Sequence, residues 1–224
     1  NHFWPDFRDA EGDVAFDLLL LNRIFLGALS VADSKSALYQ SRGEELAINE
    51  FMPETARILS PKGLTGGTGL NYLKTKFQET VCNNSSAEKG AYIIKAPTGL
   101  GKTFAAAKII DKIQEEEGPC KVFYLAPTVT ILRQVYDEFK TLVSEGELLE
   151  IHYMAEDIVY QNESLTKEEL LRRELKNNMW DSGMIITTYH RLISLLSGMN
   201  KSDCQNLYAL HKAIFVLDES QFIS

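Results

Sequence analysis

"AYIIKAPTGLGKTFAAAK", residues 91–108, decides the reading of this chain. An apolar run, Ala91-Tyr92-Ile93-Ile94, precedes a Gly-rich turn, Ala96-Pro97-Thr98-Gly99-Leu100-Gly101-Lys102-Thr103, and a helix-forming run follows from Phe104 to Ile110. Strand, turn and helix in that order are what a phosphate cradle requires. Small residues in the turn let backbone N–H groups point inward, and the helix adds the positive end of its dipole. Gly99 and Gly101 suit that geometry. Lys102 would set an ammonium against the β- and γ-phosphates, and the Thr103 hydroxyl would ligate Mg²⁺. The generic pattern opens with Gly where this chain has Ala96, a residue small enough to keep the turn.

Working outward, residues 70–81 predict a helix, 91–95 a strand, 103–116 a helix, "KVFYLA" at 121–126 a strand and 129–144 a helix. "LLEIHYM" at 148–154, "MIITT" at 184–188 and "AIFVL" at 213–217 predict three further strands. The charged stretch "LTKEELLRRELKNN", 165–178, predicts a solvated helix carrying i,i+4 charge pairs. Short β-branched runs alternating with helices imply an α/β fold with a parallel sheet covered on both faces. Upstream, residues 13–30 are apolar on most helical faces and predict a buried helix, and 44–59 read as helical around Met52-Pro53. "SPKGLTGGTG", 60–69, has the Pro and Gly density of a linker. Its Gly66-Gly67-Thr68-Gly69 run lacks a preceding strand and a Lys in register, so it is not a second phosphate loop.

A phosphate loop hydrolyses ATP only with a metal carboxylate and a group that orients water. "AIFVLDESQ", 213–221, supplies both at the carboxyl end of a strand, where open α/β sheets place their chemistry. Asp218 would hold Mg²⁺ through its water shell, and Glu219 would polarise the attacking water.

Composition adds bounds. With 224 residues, 45% of them hydrophobic, the chain can bury a real core of one to two domains. A formal charge of −8 excludes a wholly basic coat but not a local groove for a backbone. Three widely spaced cysteines, Cys82, Cys120 and Cys204, suggest neither a disulfide framework nor a zinc knuckle, so a reducing, cytoplasmic setting is expected. The longest apolar run, Leu18 to Leu21, is too short for a membrane span. A start at Asn1 and an end a few residues past Asp218-Glu219 read as a fragment.

"APTGLGKT", "YLAPTVTILRQ", "IITTYHRL" and "VLDESQ" together resemble motifs I, Ia, Ic and II of superfamily 2 helicases, in the right order and spacing. The resemblance covers the first of that family's two RecA-like lobes, residues 70–224, the second being absent from these residues. It implies an ATP-dependent motor in which Pro127, Thr128, Thr187 and Thr188 touch the phosphates of a single DNA strand. It also implies an adenine-sensing role for Gln78, although a surface helix glutamine is an equally ordinary reading.

Residues 18–38, "LLLLNRIFLGALSVADSKSAL", resemble the final helix of the HD nuclease domain in the CRISPR-associated helicase-nuclease of type I systems. By that resemblance residues 1–43 end an HD domain, 44–69 form a linker and 70–224 form the ATP-binding lobe. Asp33 would then bind the catalytic divalent transition metal of the HD site, and the partners would be single-stranded DNA and the guide-RNA surveillance complex. As a residue alone, Asp33 is equally a cap for the next helix. His2, His152, His190 and His211 do not reproduce the HD histidine pattern. Two rival readings stand beside this one: a superfamily 2 helicase or DNA translocase without a nuclease, and a regulatory module that uses the phosphate loop as a switch.

Overall fold

The computed structural model describes residues 12–40, 43, 52–59, 68–86, 90–144, 147–152, 176–198 and 200–223. Helix α1 spans Gly12–Gln40, α2 Leu70–Asn83 and α3 Lys102–Glu117. Strand β1, Lys121–Ala126, leads to α4, Val129–Phe139, and β2 is Leu148–Ile151. Strand β3, Met184–Thr188, runs into α5, Tyr189–Ser197; α6, Lys201–Tyr208, precedes β4, Ala213–Leu217, and a 3₁₀ turn over Ser220–Ile223.

The four strands pair in parallel in the order β2-β3-β1-β4. Alternation along the central strands sorts the core into two layers. Val122, Tyr124, Ala126, Met184 and Ile186 pack with Ala107 and Ile110 of α3 and with Leu132, Val135 and Phe139 of α4. Phe123 and Ile185 point the other way, onto Trp180, Leu195 of α5, and Leu207 and Ala209 at the end of α6. Both faces of the central strands are therefore covered and β1 is buried along its whole length, whereas Phe215 and Leu217 of the edge strand β4 stay exposed. This is the α/β architecture of a RecA-like lobe, preceded by a helical segment.

Helix starts are set by side-chain caps. The hydroxyl oxygens of Thr128 and Thr188 accept from the N–H groups of Ile131 and Arg191, and the Asn200 carbonyl oxygen accepts from Asp203. Each satisfies a donor that the first helical turn leaves open.

Helix α1 lies against α6. The Arg23 guanidinium is buried, donating from Nη2 to Leu195 O at 2.7 Å and from Nη1 to Leu196 O at 2.5 Å, so it closes the carboxyl end of α5. Gln205 Nε2 donates to Ser30 Oγ at 3.0 Å, and Lys35 pairs with Asp181 at 2.8 Å. Gly27 makes the approach possible, because a Cβ there would lie 1.9 Å from Cys204 O. The expected burial of this helix holds for one face, while Leu21, Phe25, Leu26 and Leu29 remain exposed.

Several expectations need correction. Residues 91–95 form no strand: a strand exists only where a neighbour completes its ladder, none of the described strands pairs with this segment, and Ile93 is 84% exposed. Around Pro53 the chain is not helical over residues 52–59; Ala56 instead bridges Cys120 in antiparallel fashion, and Ile58 is buried in the core. Pro lacks the N–H a helix interior needs. The helix expected over 129–144 ends at Phe139 and tightens into turns through Val143, whose side chain joins the core. The strand expected over 148–154 stops at Ile151, with 153–154 outside the described residues. Of the charged helix at 165–178, only residues 176–178 are described, and they are helical. The Gly66-Gly67 pair also lies outside the described residues.

Candidate nucleotide site

Every chemistry-bearing segment reaches the carboxyl end of the sheet. Register pairs Ala126 with Thr188 and Leu125 with Leu217, so the loops after β1, β3 and β4 emerge side by side. Pro127-Thr128, Thr188 and Asp218-Glu219 occupy those loops.

Gly99 and Gly101 take φ of 82° and 81°, the left-handed region that a side chain resists. Gly101 is the N-cap of α3, so Lys102 and Thr103 open a helix of 16 residues with their N–H groups facing the turn. Ala96 and Leu100 are half-buried, whereas Pro97, Thr98 and Gly99 are exposed. Gln78 on α2 is buried with its amide against the turn, since a Cβ on Gly101 would meet Gln78 Nε2 at 2.9 Å.

Lys102 Nζ stands 3.5 Å from Glu219 Oε1. Gln221 Nε2 donates to the other Glu219 oxygen, and this hydrogen bond, with the Lys102 charge next, holds the Glu219 carboxyl below the usual carboxylate range. Glu219 is thus ionised at neutral pH, able to orient a water through an acceptor oxygen. Its φ of 52° is unusual for a residue with a side chain, and such strain concentrates at functional sites.

Asp218 is held from two sides. Its N–H donates to Leu125 O at 2.9 Å, and its carbonyl accepts from the Tyr189 hydroxyl at 2.5 Å. Its Oδ2 accepts from the Tyr124 hydroxyl at 3.0 Å. Burial first, then the Asp218 charge, raises both phenols; Tyr189 is pushed up to about 12. Sequence reading missed both tyrosines. The available signal was Tyr124's place inside the apolar run Val122 to Ala126, because a buried phenol requires a partner for its hydroxyl.

Thr103 follows Lys102, whose ammonium faces Glu219, the residue after Asp218; a hydroxyl and a carboxylate are hard oxygen donors of the type that Mg²⁺ takes beside phosphates. The pair fits the ion. Among the described residues no cluster of three or more His, Cys, Asp or Glu side chains gathers. Asp33 is exposed inside α1, so it does not cap a helix. Thr187 is buried and its hydroxyl donates to Ile151 O at 2.7 Å, stitching β3 to β2, whereas Thr128 is exposed and Thr188 half-buried.

A parallel sheet with a phosphate loop and an Asp-Glu pair at its carboxyl end defines a P-loop nucleotide hydrolase lobe. The chain matches the DEAD/DEAH box helicase family over residues 75–224 and belongs to it. No curated protein matches this chain.

Proposed function

We propose that this lobe is the nucleotide engine of an ATP-dependent DNA translocase of the type I CRISPR helicase-nuclease kind, recruited by a guide-RNA surveillance complex. The carrying observation for the engine is the Lys102–Glu219 contact of 3.5 Å, which brings the Gly-rich turn opening α3 against the Asp218-Glu219 pair after β4. Ala96 to Gly101 cradle phosphates, all but Pro97 offering a backbone N–H, Lys102 neutralises the terminal phosphate, and Gln78 lies against the turn to sense the base. Mg²⁺, when bound between Thr103 and Asp218, supplies charge neutralisation of the phosphates. Glu219 holds the attacking water by its carboxylate. Lys102 and Glu219 face each other at 3.5 Å, which sets the phosphate-binding ammonium beside the water-orienting carboxylate.

Pro127, Thr128, Thr187 and Thr188 form the strand-contacting set in this reading, with Thr128 and Thr188 the accessible members. Hydroxyls and helix N-termini contact phosphates without reading bases. Support for the nuclease fusion is the seating of α1: a helix resembling the end of an HD domain is fixed to the lobe through Arg23, Gln205 and the Lys35–Asp181 pair. Asp33 would contribute to the HD metal in that assembly. The exposed, solitary position of Asp33 among the described residues favours the second reading, a translocase without a nuclease. No helix of the described residues is long and apolar enough to cross a membrane.

The test is ATP turnover of the protein containing both lobes, with and without single-stranded DNA, alongside metal-dependent degradation of the same DNA. A motor shows turnover stimulated by the strand, and the fusion shows degradation that requires ATP. Turnover indifferent to DNA would leave only a nucleotide switch.

A further inference from the structure

The Tyr124 hydroxyl stands against Asp218, one of the side chains read above as magnesium ligands. It lies 3.0 Å from Asp218 Oδ2. The proton order follows from chemistry. A carboxylate only accepts, so the phenol proton points to Asp218. One lone-pair direction of Asp218 is occupied, and its second oxygen stays open.

Tyr124 is well placed to impose that order. It sits on β1, flanked in the sheet by β3 and β4, at 2% exposure, with its ring centroid 5.6 Å from that of Phe139. Water does not compete for the hydroxyl, and the ring has no room to swing. The Asp218 backbone is anchored separately by Leu125 O and the Tyr189 hydroxyl, so removing the Tyr124 hydroxyl frees the carboxylate rotamer without releasing the turn.

We propose that Tyr124 is a positioning residue for Mg²⁺: it does not touch the ion but orients the Asp218 carboxylate toward it. The proposal rests on the reading of Asp218 as a ligand. Partners behind metal ligands change metal affinity by about 10–100-fold when removed.

The experiment measures affinity of the 224-residue chain for a fluorescent ATP analogue in EDTA and across a Mg²⁺ titration, in wild type, Tyr124→Phe and Tyr124→Met. Direct Mn²⁺ binding by electron paramagnetic resonance in the presence of the analogue gives a second readout. Both variants are expected to keep wild-type affinity in EDTA, to shift the metal midpoint upward about 10–100-fold, and to recover at saturating metal. Phe139→Leu loosens the ring's packing and keeps the hydroxyl; it is expected to lower stability with no shift of the midpoint. A metal midpoint unchanged in a folded Tyr124→Phe or Tyr124→Met protein, or an equal shift in Phe139→Leu, overturns the role. If wild-type binding itself ignores metal, the ligand assignment fails first, and that result is separate from the behaviour of Tyr124.

Discussion

Replacing Gly27 by Ala gives opposite signs for a docked and an undocked α1. In a free helix the change is favourable, because Ala exceeds Gly in helix propensity by about 1 kcal/mol. In the structure a Cβ at Gly27 would lie 1.9 Å from Cys204 O and 2.7 Å from Cys204 C. Both are backbone atoms, so no side-chain rotation relieves the clash, and ordinary contact at roughly 3.5 Å requires α1 and α6 to part by about 1.5 Å. Overpacking of this kind costs about 1–3 kcal/mol. The same displacement stretches the two Arg23 bonds to Leu195 O and Leu196 O, each charge-assisted and of a class worth about 1.5–3 kcal/mol. Set against the propensity gain, the net loss is about 2–4 kcal/mol. Urea unfolding reads it as a midpoint lowered by about 1 M, since the slope at this chain length is about 3 kcal/mol per molar. The double variant Gly27→Ala, Arg23→Met should lose less than the sum of the singles, because both act on one docking event. A midpoint that rises in Gly27→Ala, or strict additivity in the double variant, would refute the packing of α1 on α6.

Lys102→Ala is expected to weaken ATP binding at least tenfold, about 1.4 kcal/mol or more, measured by equilibrium titration. Glu219→Gln should retain ATP while turnover falls by about 10²–10⁴-fold; comparable turnover in the variant would remove Glu219 from its role. Thr188→Ala deletes the cap of α5, costing about 1 kcal/mol in thermal or urea unfolding, and should lower DNA-stimulated turnover while sparing nucleotide affinity. Lys121 is buried with its ammonium donating to Trp180 O, and desolvation lowers it to about 8 from 10.5, with the Asp181 charge opposing. The folded state then holds fewer protons at this group than the unfolded chain between those values, so its penalty is full below pH 8 and is relieved as pH rises. Wild type should gain on the order of 2 kcal/mol relative to Lys121→Met from pH 8 toward 10, followed by urea unfolding at each pH; a flat difference would show that the ammonium carries no burial penalty.

The strands show how much was legible and why. "KVFYLA", "MIITT" and "AIFVL" coincide with β1, β3 and β4; the first two are buried nearly throughout, as apolar runs inside a covered parallel sheet require, while Phe215 and Leu217 of β4 stay exposed at the sheet edge. "AYIIK" has the same character, yet it forms no strand among the described residues, since pairing belongs to a neighbour and not to the segment. Likewise the helical reading of residues 44–59 says nothing of Ala56 meeting Cys120, a contact made across distant parts of the chain. The apolar stretch at 13–30 announced a helix; only its Gly27 and Arg23, read with Cys204 and Leu195 in place, say where that helix docks.

By itself the sequence determined the identity of the phosphate-binding turn, the carboxylate pair and the α/β alternation, because these depend on residue type and local spacing: glycine for positive φ, a lysine at a helix start, acidic groups after an apolar strand. Only the tertiary structure decided that Tyr124 holds Asp218, that Lys102 faces Glu219, and that Thr187 is spent on the sheet while Thr188 ends its strand and caps α5. Those relations are distances between groups far apart in the chain, and they are set by strand register and by which face of the sheet each side chain takes.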